Sequence, residues 1–217
     1  MDLQGDFETH VTVRLDGDGA APDDAAALRQ WAEERGLKFT HIVLARGRTA
    51  SQPMLTRHGR GRLADELART ETLAAALRSA GFVVARVKIE ASPFAMGVPR
   101  SDEEAAGASD DQYFEHHVKL LLTPGADVRP LTVLAERHGA HLSRNALRTR
   151  VDGREERFVT QRCRRVARPA ARRAFEALLA ALSADGYEVT EAEEEFVVYD
   201  SDLSMDAGWI DAEGVGA

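Results

Sequence analysis

The sequence predicts an α+β protein: a tandem duplication of a ferredoxin-like βαββαβ unit, in two lobes whose sheet faces form a cleft. Three observations predict it. The stretch Phe7-Glu8-Thr9-His10-Val11-Thr12-Val13-Arg14-Leu15 is answered near the middle of the chain by Tyr113-Phe114-Glu115-His116-His117-Val118-Lys119-Leu120-Leu121, so that Glu8 matches Glu115, His10 matches His117 and Val11 matches Val118. Both stretches alternate apolar and polar residues at the period of a β-strand. Each is followed by signals for helix, strand, strand, helix and strand, and the pairs His41/His141, Thr56/Thr160, Gly81/Gly186 and Glu90/Glu195 extend the match.

In the first copy, Phe7, Thr9, Val11, Val13 and Leu15 share one strand face, while Glu8, His10, Thr12 and Arg14 share the other. Asp16-Gly17-Asp18-Gly19 is a turn signal. Asp23 or Asp24 can cap a helix running to Arg35, where Gly36 stops it. Residues 37–45 read as a second strand and 52–57 as a short third. A helix over 63–80 carries Leu63, Leu67 and Leu77 near helical spacing. Gly81 ends it, and 82–91 form a fourth strand. The stretch 92–112 holds Pro93, Gly97, Pro99 and Gly107 without periodicity, a linker between lobes at 1–91 and 113–200. The second copy reads as a strand at 114–122, a helix at 131–138 and a strand at 140–150. A turn at Asp152-Gly153 and a strand at 157–163 follow. Pro169 opens a helix over 170–184, Gly186 closes it, and 187–199 form the last strand. Residues 201–217 read as an acidic tail.

Composition narrows the function classes. Of 217 residues, 44% are hydrophobic, which is ordinary for a globular chain and too high for a disordered one. No apolar run approaches the ~20 residues of a membrane span, and the N-terminus lacks the apolar core of a signal peptide. A soluble, cytoplasmic chain with no membrane partner is expected. The single cysteine, Cys163, rules out an internal disulfide and a Cys-rich zinc motif. Every charged residue from Asp185 onward is acidic, whereas arginines crowd 144–173. These segments are expected to neutralise each other on folding. A net charge of −8 and an aromatic content of 6% argue against nucleic acid as partner.

The polar strand faces are where chemistry is expected. The first strand of a ferredoxin-like sheet is central and lies beside the fourth, which offers Lys88. An acid, an imidazole and fixed cations together suit a small anionic, phosphate-containing ligand in the cleft. His10 and His117 are the candidate catalytic acid and base. Glu8, Thr12, Arg14, Lys88, Glu115, Lys119, His41 and His141 are the candidate binding residues. The alternative is a non-catalytic protein that binds a small molecule or a partner through the same face. His10, His41, His117 and His141 with Glu8 and Glu115 also offer nitrogen and oxygen ligands for zinc or iron. No pair has the i, i+4 spacing of a helical metal site, and the expectation is no cofactor. His116 faces the core of its strand, and His58 and His138 read as surface residues. Cys163, among Arg162, Arg164 and Arg165, has no partner base and reads as structural. Asp200–Asp206 lacks the central glycine and distal glutamate of a calcium loop.

His10-Val11-Thr12-Val13 and His141-Leu142-Ser143 resemble the paired His-x-Thr/Ser motifs of the 2H phosphoesterases. In that family two related α+β lobes form a cleft, and each lobe gives one histidine. The resemblance implies cleavage of cyclic or 2′,5′-type phosphoesters, with histidines as acid and base and hydroxyls on the phosphate. The internally matching positions depart from the motif: His117-Val118-Lys119 and His41-Ile42-Val43 carry no hydroxyl.

Overall fold

The computed structural model describes residues 3–15, 25–146 and 150–210. Its elements run β1 (Gln4–Arg14), α1 (Ala26–Glu33), β2 (Lys38–Leu44), β3 (Ser51–Arg62), α2 (Leu63–Ser79), β4 (Val83–Ala91), α3 (Asp102–Ala106), β5 (Tyr113–Leu122), α4 (Arg129–Arg137), β6 (Ala140–Asn145), β7 (Glu155–Arg164), α5 (Arg168–Ala184) and β8 (Glu188–Asp200). A 3₁₀ turn, Leu203–Asp206, follows. The α+β class and the βαββαβ order of each half are as the alternation predicts. The Asp16–Gly19 turn and the Asp23/Asp24 cap lie outside the described residues.

The strands do not form two separate sheets facing across an open cleft. They pair edge to edge into one closed antiparallel barrel, in the order β1-β3-β2-β6-β7-β5-β8-β4. Within each half the first strand is flanked by the third and fourth. The halves join where β2 pairs with β6 and β4 with β8. Closure satisfies the backbone donors and acceptors that each half alone would expose along two sheet edges. The cleft expected between lobes becomes the inside of the barrel.

Strand alternation then sorts every side chain inward or outward. Outward residues pack under the helices. Val11, Val13 and Leu55 meet Leu28 and Leu77 from α1 and α2. Val118, Leu120 and Val159 meet Leu131, Phe175, Leu178 and Leu182 from α4 and α5. A third cluster spans the β4–β8 seam, where the Phe114 and Phe196 ring centroids lie 4.8 Å apart. Each fully buried Leu or Phe contributes about 1.5–3 kcal/mol. Truncating Phe175 to alanine would cost about 3–5 kcal/mol, because it is buried in its cluster.

Some boundaries differ from the sequence reading. β3 continues to Arg62, because residues 57–62 pair with residues 4–9 of β1 although their own pattern is polar. β6 stops at Asn145. Within the linker, Ser101 caps α3 by accepting from the Glu104 amide at 3.3 Å. The tail is folded as far as Ile210: Asp206, Trp209 and Ile210 are buried. Gly47 makes room for it, with a φ of +110° and a position where a Cβ would stand 3.1 Å from the Trp209 Cβ. No helix among the described residues is long and apolar enough to cross a membrane.

Candidate functional site in the barrel interior

A cavity of about 190 Å³ occupies the barrel interior. Its inward residues arrive from matched strand positions. Glu8, His10 and Thr12 come from β1, Glu115 and His117 from β5, Thr56 and Thr160 from β3 and β7, and Lys88 and its counterpart Glu193, with Glu195, from β4 and β8. Glu90, beside Lys88, closes the wall and lines an outer cleft that also contains Glu8, Glu195, His58 and Glu194.

The two histidines are held alike but not identically. His10 Nδ1 lies 2.9 Å from Thr56 Oγ1, and its Nε2 lies 2.8 Å from Glu90 Oε2. His117 Nδ1 lies 3.1 Å from Thr160 Oγ1. Its Nε2 faces Glu115 Oε1 at 3.2 Å and Glu195 Oε2 at 3.5 Å. Between them sits Lys88, which donates to Glu115 Oε1 at 2.8 Å and stands 2.6 Å from Glu90 Oε1.

A second network fills the next part of the interior. Arg162 donates to Glu115 Oε2 and to Asp206 Oδ2, both at 2.6 Å. Arg86 donates to Asp206 Oδ2 at 2.9 Å and to both oxygens of Asp200, with Oδ1 at 2.8 Å. Tyr113 adds a hydrogen bond to Asp200 at 2.8 Å, and Gln52 one to Asp206 at 2.9 Å. Thus Arg86, Lys88 and Arg162 are each committed to carboxylates on two residues. Asp206 comes from the segment after the last strand, and is the residue that draws it into the barrel.

Electrostatics separates the matched carboxylates Glu90 and Glu195. Burial works against ionising either. At Glu90 the charges of Lys88 and His10 outweigh burial and hold the carboxyl well below its usual range. At Glu195 burial pushes the carboxyl up to about 10, and Glu90, Glu8 and Glu115 add like charge against the opposing pull of Lys88. The position matching Lys88 on β8 is Glu193, so the second half lacks the neutralising cation. The site therefore holds more acidic groups than its fixed cations neutralise, and Glu195 keeps its proton at neutral pH.

Of the sequence-derived site residues, Glu8, His10, Thr12, Lys88, Glu115 and His117 line the cavity. The others do not. Arg14 is exposed at the end of β1. Lys119 is turned to Glu191, at 2.8 Å. His41 alternates with the inward Thr40 and Ile42, so it points outward; it lies 2.8 Å from Ser51 Oγ, and burial, then Arg144, lower its pKa. His141 is placed beside Arg46 and Trp209 rather than in the cavity. The two histidines of the His-x-Thr/Ser motifs therefore do not converge. His10 and His117 do share the site. Cys163 is buried in the seam cluster, and burial pushes its thiol up to about 11, as suits a structural thiol. The site residues not assigned from sequence are Arg86, Glu90, Arg162, Glu195 and Asp206. Glu90 and Glu195 were legible as a repeated pair.

No family model matches the chain, and no curated protein matches it. Among solved structures it is similar to the small subunit of acetolactate synthase from Thermotoga maritima, at 13% identity over 89% of this chain and 94% of that one, with a TM-score of 0.31. It is also similar to a mutant chlorite dismutase from Candidatus Nitrospira defluvii, at 14% identity over 94% and 93% of the two chains, with a TM-score of 0.31. The ligand-free regulatory subunit of aspartate kinase from Thermus thermophilus is similar at 13% identity over 83% and 97%, with a TM-score of 0.32.

For a metal, Glu90, Glu115 and His117 offer ligand atoms within 4.8 Å of one another. The Lys88 ammonium already stands against both carboxylates. A divalent ion at that point would have to displace a tethered cation, so the donor set does not fit a resident metal as it stands.

Proposed function

We propose that the chain is a small-molecule-binding protein that takes a compact, positively charged ligand into its barrel. The observation that carries this reading is the surplus of carboxylate. Lys88, Arg86 and Arg162 are each paired with two acidic residues, while Glu8 and Glu195 remain at the cavity wall without a lysine or arginine partner among the described contacts. An anion entering the buried part of this cavity would meet cations already neutralised and carboxylates that repel it; Lys38, the remaining cation of the lining, is exposed. A cation would relieve that repulsion and favour ionisation of Glu195, which burial and the neighbouring carboxylates otherwise hold protonated. The outer cleft, with Asp6, Glu8, Glu194 and Glu195 along it, favours the same sign of charge.

This reading displaces the phosphate-binding expectation on physical grounds. Two of its proposed anion holders, Arg14 and Lys119, lie away from the cavity, and a third, Lys88, is sandwiched between carboxylates. Internal duplication accounts for the matched strands, and loss of symmetry at Lys88 and Glu193 accounts for the different roles of Glu90 and Glu195. His10 and His117 remain the groups placed to exchange protons with a bound ligand.

Ligand-observed NMR with methylammonium, guanidinium, acetate and inorganic phosphate tests the reading. Binding of the cations, weakened by Glu195→Gln, supports it. Preferential binding of phosphate or acetate overturns it.

A further inference from the structure

The ring order of the barrel places its two seams opposite one another. With the order β1-β3-β2-β6-β7-β5-β8-β4, the β4–β8 seam lies diametrically across the interior from the β2–β6 seam. The apolar residues facing the cavity gather on one side of that line, and the glutamates on the other. Around β4–β8 and the flanking β1 and β5 are Glu8, Lys88, Glu115, Glu193 and Glu195. Around β2–β6 and the flanking β3 and β7 are the apolar Ile42, Leu44, Met54 and Phe158, set among the polar Thr40, Gln52, Thr56, Ser143 and Thr160, with Lys38 and Arg162. The C-terminal segment adds Trp209 to this second wall, packed on Leu44 and anchored by a 2.8 Å hydrogen bond from its indole Nε1 to the Leu142 carbonyl.

We infer that the ligand is a compact amphipathic amine, whose ammonium faces the Glu8–Glu115–Glu195 wall and whose single apolar substituent lies against Met54, Phe158 and Trp209. The inference rests on the small-molecule reading above and goes beyond it by naming the ligand class. Three features converge on it. One wall has a carboxylate surplus, where an ammonium gains charge-assisted hydrogen bonds. The opposite wall holds the apolar patch of the lining, Ile42, Leu44, Met54, Phe158 and Trp209, where an alkyl or aryl group leaves water. The volume sets the size: an engineered cavity of ~150 Å³ holds benzene, so about 190 Å³ holds one ring with a short ammonium arm. Trp209 is then a specificity residue, because it closes the wall that receives the substituent.

Calorimetric titration of the full chain with methylammonium, benzylammonium and benzyl alcohol tests this. Benzylammonium is expected to bind on the order of tenfold or more tighter than methylammonium, from the added apolar burial, and tighter than benzyl alcohol. Met54→Ala and Trp209→Ala are expected to weaken benzylammonium several-fold more than methylammonium; Met54→Ala keeps the test available if loss of Trp209 unfolds the segment. Equal affinity for the two amines overturns the two-walled site and leaves the cation reading standing. Equal affinity for benzyl alcohol and benzylammonium overturns the ammonium subsite. Failure of both amines to bind, with the protein folded, overturns the cation reading itself.

Discussion

Lys88 of the first half stands 2.8 Å from Glu115 of the second, an ion pair that joins the halves beside both histidines. Glu90 completes the cluster at 2.6 Å. Burial works against the Lys88 charge, but Glu115 and Glu90 outweigh it and raise its pKa well above the usual lysine value.

Removing that cation leaves two buried carboxylates facing each other. Lys88→Met is expected to cost about 3–5 kcal/mol at neutral pH, the usual penalty for breaking a buried pair. The loss should shrink on acidification, since the orphaned carboxylates take up protons at a higher pH than in the unfolded chain. Urea unfolding at pH 7 and pH 5 measures both effects.

Glu90 and Glu195 occupy matched positions, and their amide isosteres are expected to act with opposite sign. The folded-state pKa of Glu195 is raised, so its contribution to stability is fully present below the unfolded value and is lost as pH rises toward about 10. Glu195→Gln, neutral at every pH, should stabilise the protein at pH 8 by on the order of 2 kcal/mol. The folded-state pKa of Glu90 is lowered, so its contribution is present at neutral pH and lost in acid. Glu90→Gln should therefore destabilise at pH 8. Thermal melts of the two variants give the comparison.

His116 lies outside the barrel interior, stacked on Phe175 with ring centroids 4.5 Å apart and bonded through Nδ1 to Gln161 at 2.8 Å. Burial lowers its pKa to about 4 from 6.5. Because the folded value is the lower one, stability is lost as pH falls from about 6.5 to about 4, by about 3 kcal/mol in total. His116→Leu is expected to flatten that part of the stability–pH curve, even if it is less stable at pH 7.

Gly59 sits where a Cβ would lie 2.2 Å from Glu66 Oε2. Glu66 is fully buried and takes a hydrogen bond from Thr9 at 2.8 Å and one from Arg57, so its carboxylate cannot swing aside. Gly59→Ala is expected to cost about 1–3 kcal/mol by overpacking. The cost should fall when combined with Glu66→Ala, which removes the clashing group. A double-mutant cycle read by chemical unfolding checks this.

Much of this was legible in the sequence because strand alternation is local. The inward row Glu8, His10 and Thr12, its echo at Glu115 and His117, and the outward His116 all follow from period two. Barrel closure was not legible, since pairing of β4 with β8 and of β2 with β6 joins residues distant in the chain and leaves no periodic mark. The same holds for the arginines. Arg162 read as one of a basic run, and only the fold brings it to Glu115 and Asp206. That pairing, with Arg154 to Glu188 at 3.2 Å and Arg172 to Glu194, is the expected neutralisation of the arginine-rich stretch by the acidic one. Asp206 sits in a segment with no alternation at all, so its capture by Arg86 and Arg162 had no sequence signal.

The most direct measurement is a pair of titrations at pH 7 with two probes of nearly equal shape and opposite charge, benzylammonium and benzoate. Binding of benzylammonium with little or no binding of benzoate is the predicted result, and Glu195→Gln should reduce it. Benzoate binding as tightly as benzylammonium, or more tightly, would contradict a cavity whose carboxylates select for positive charge.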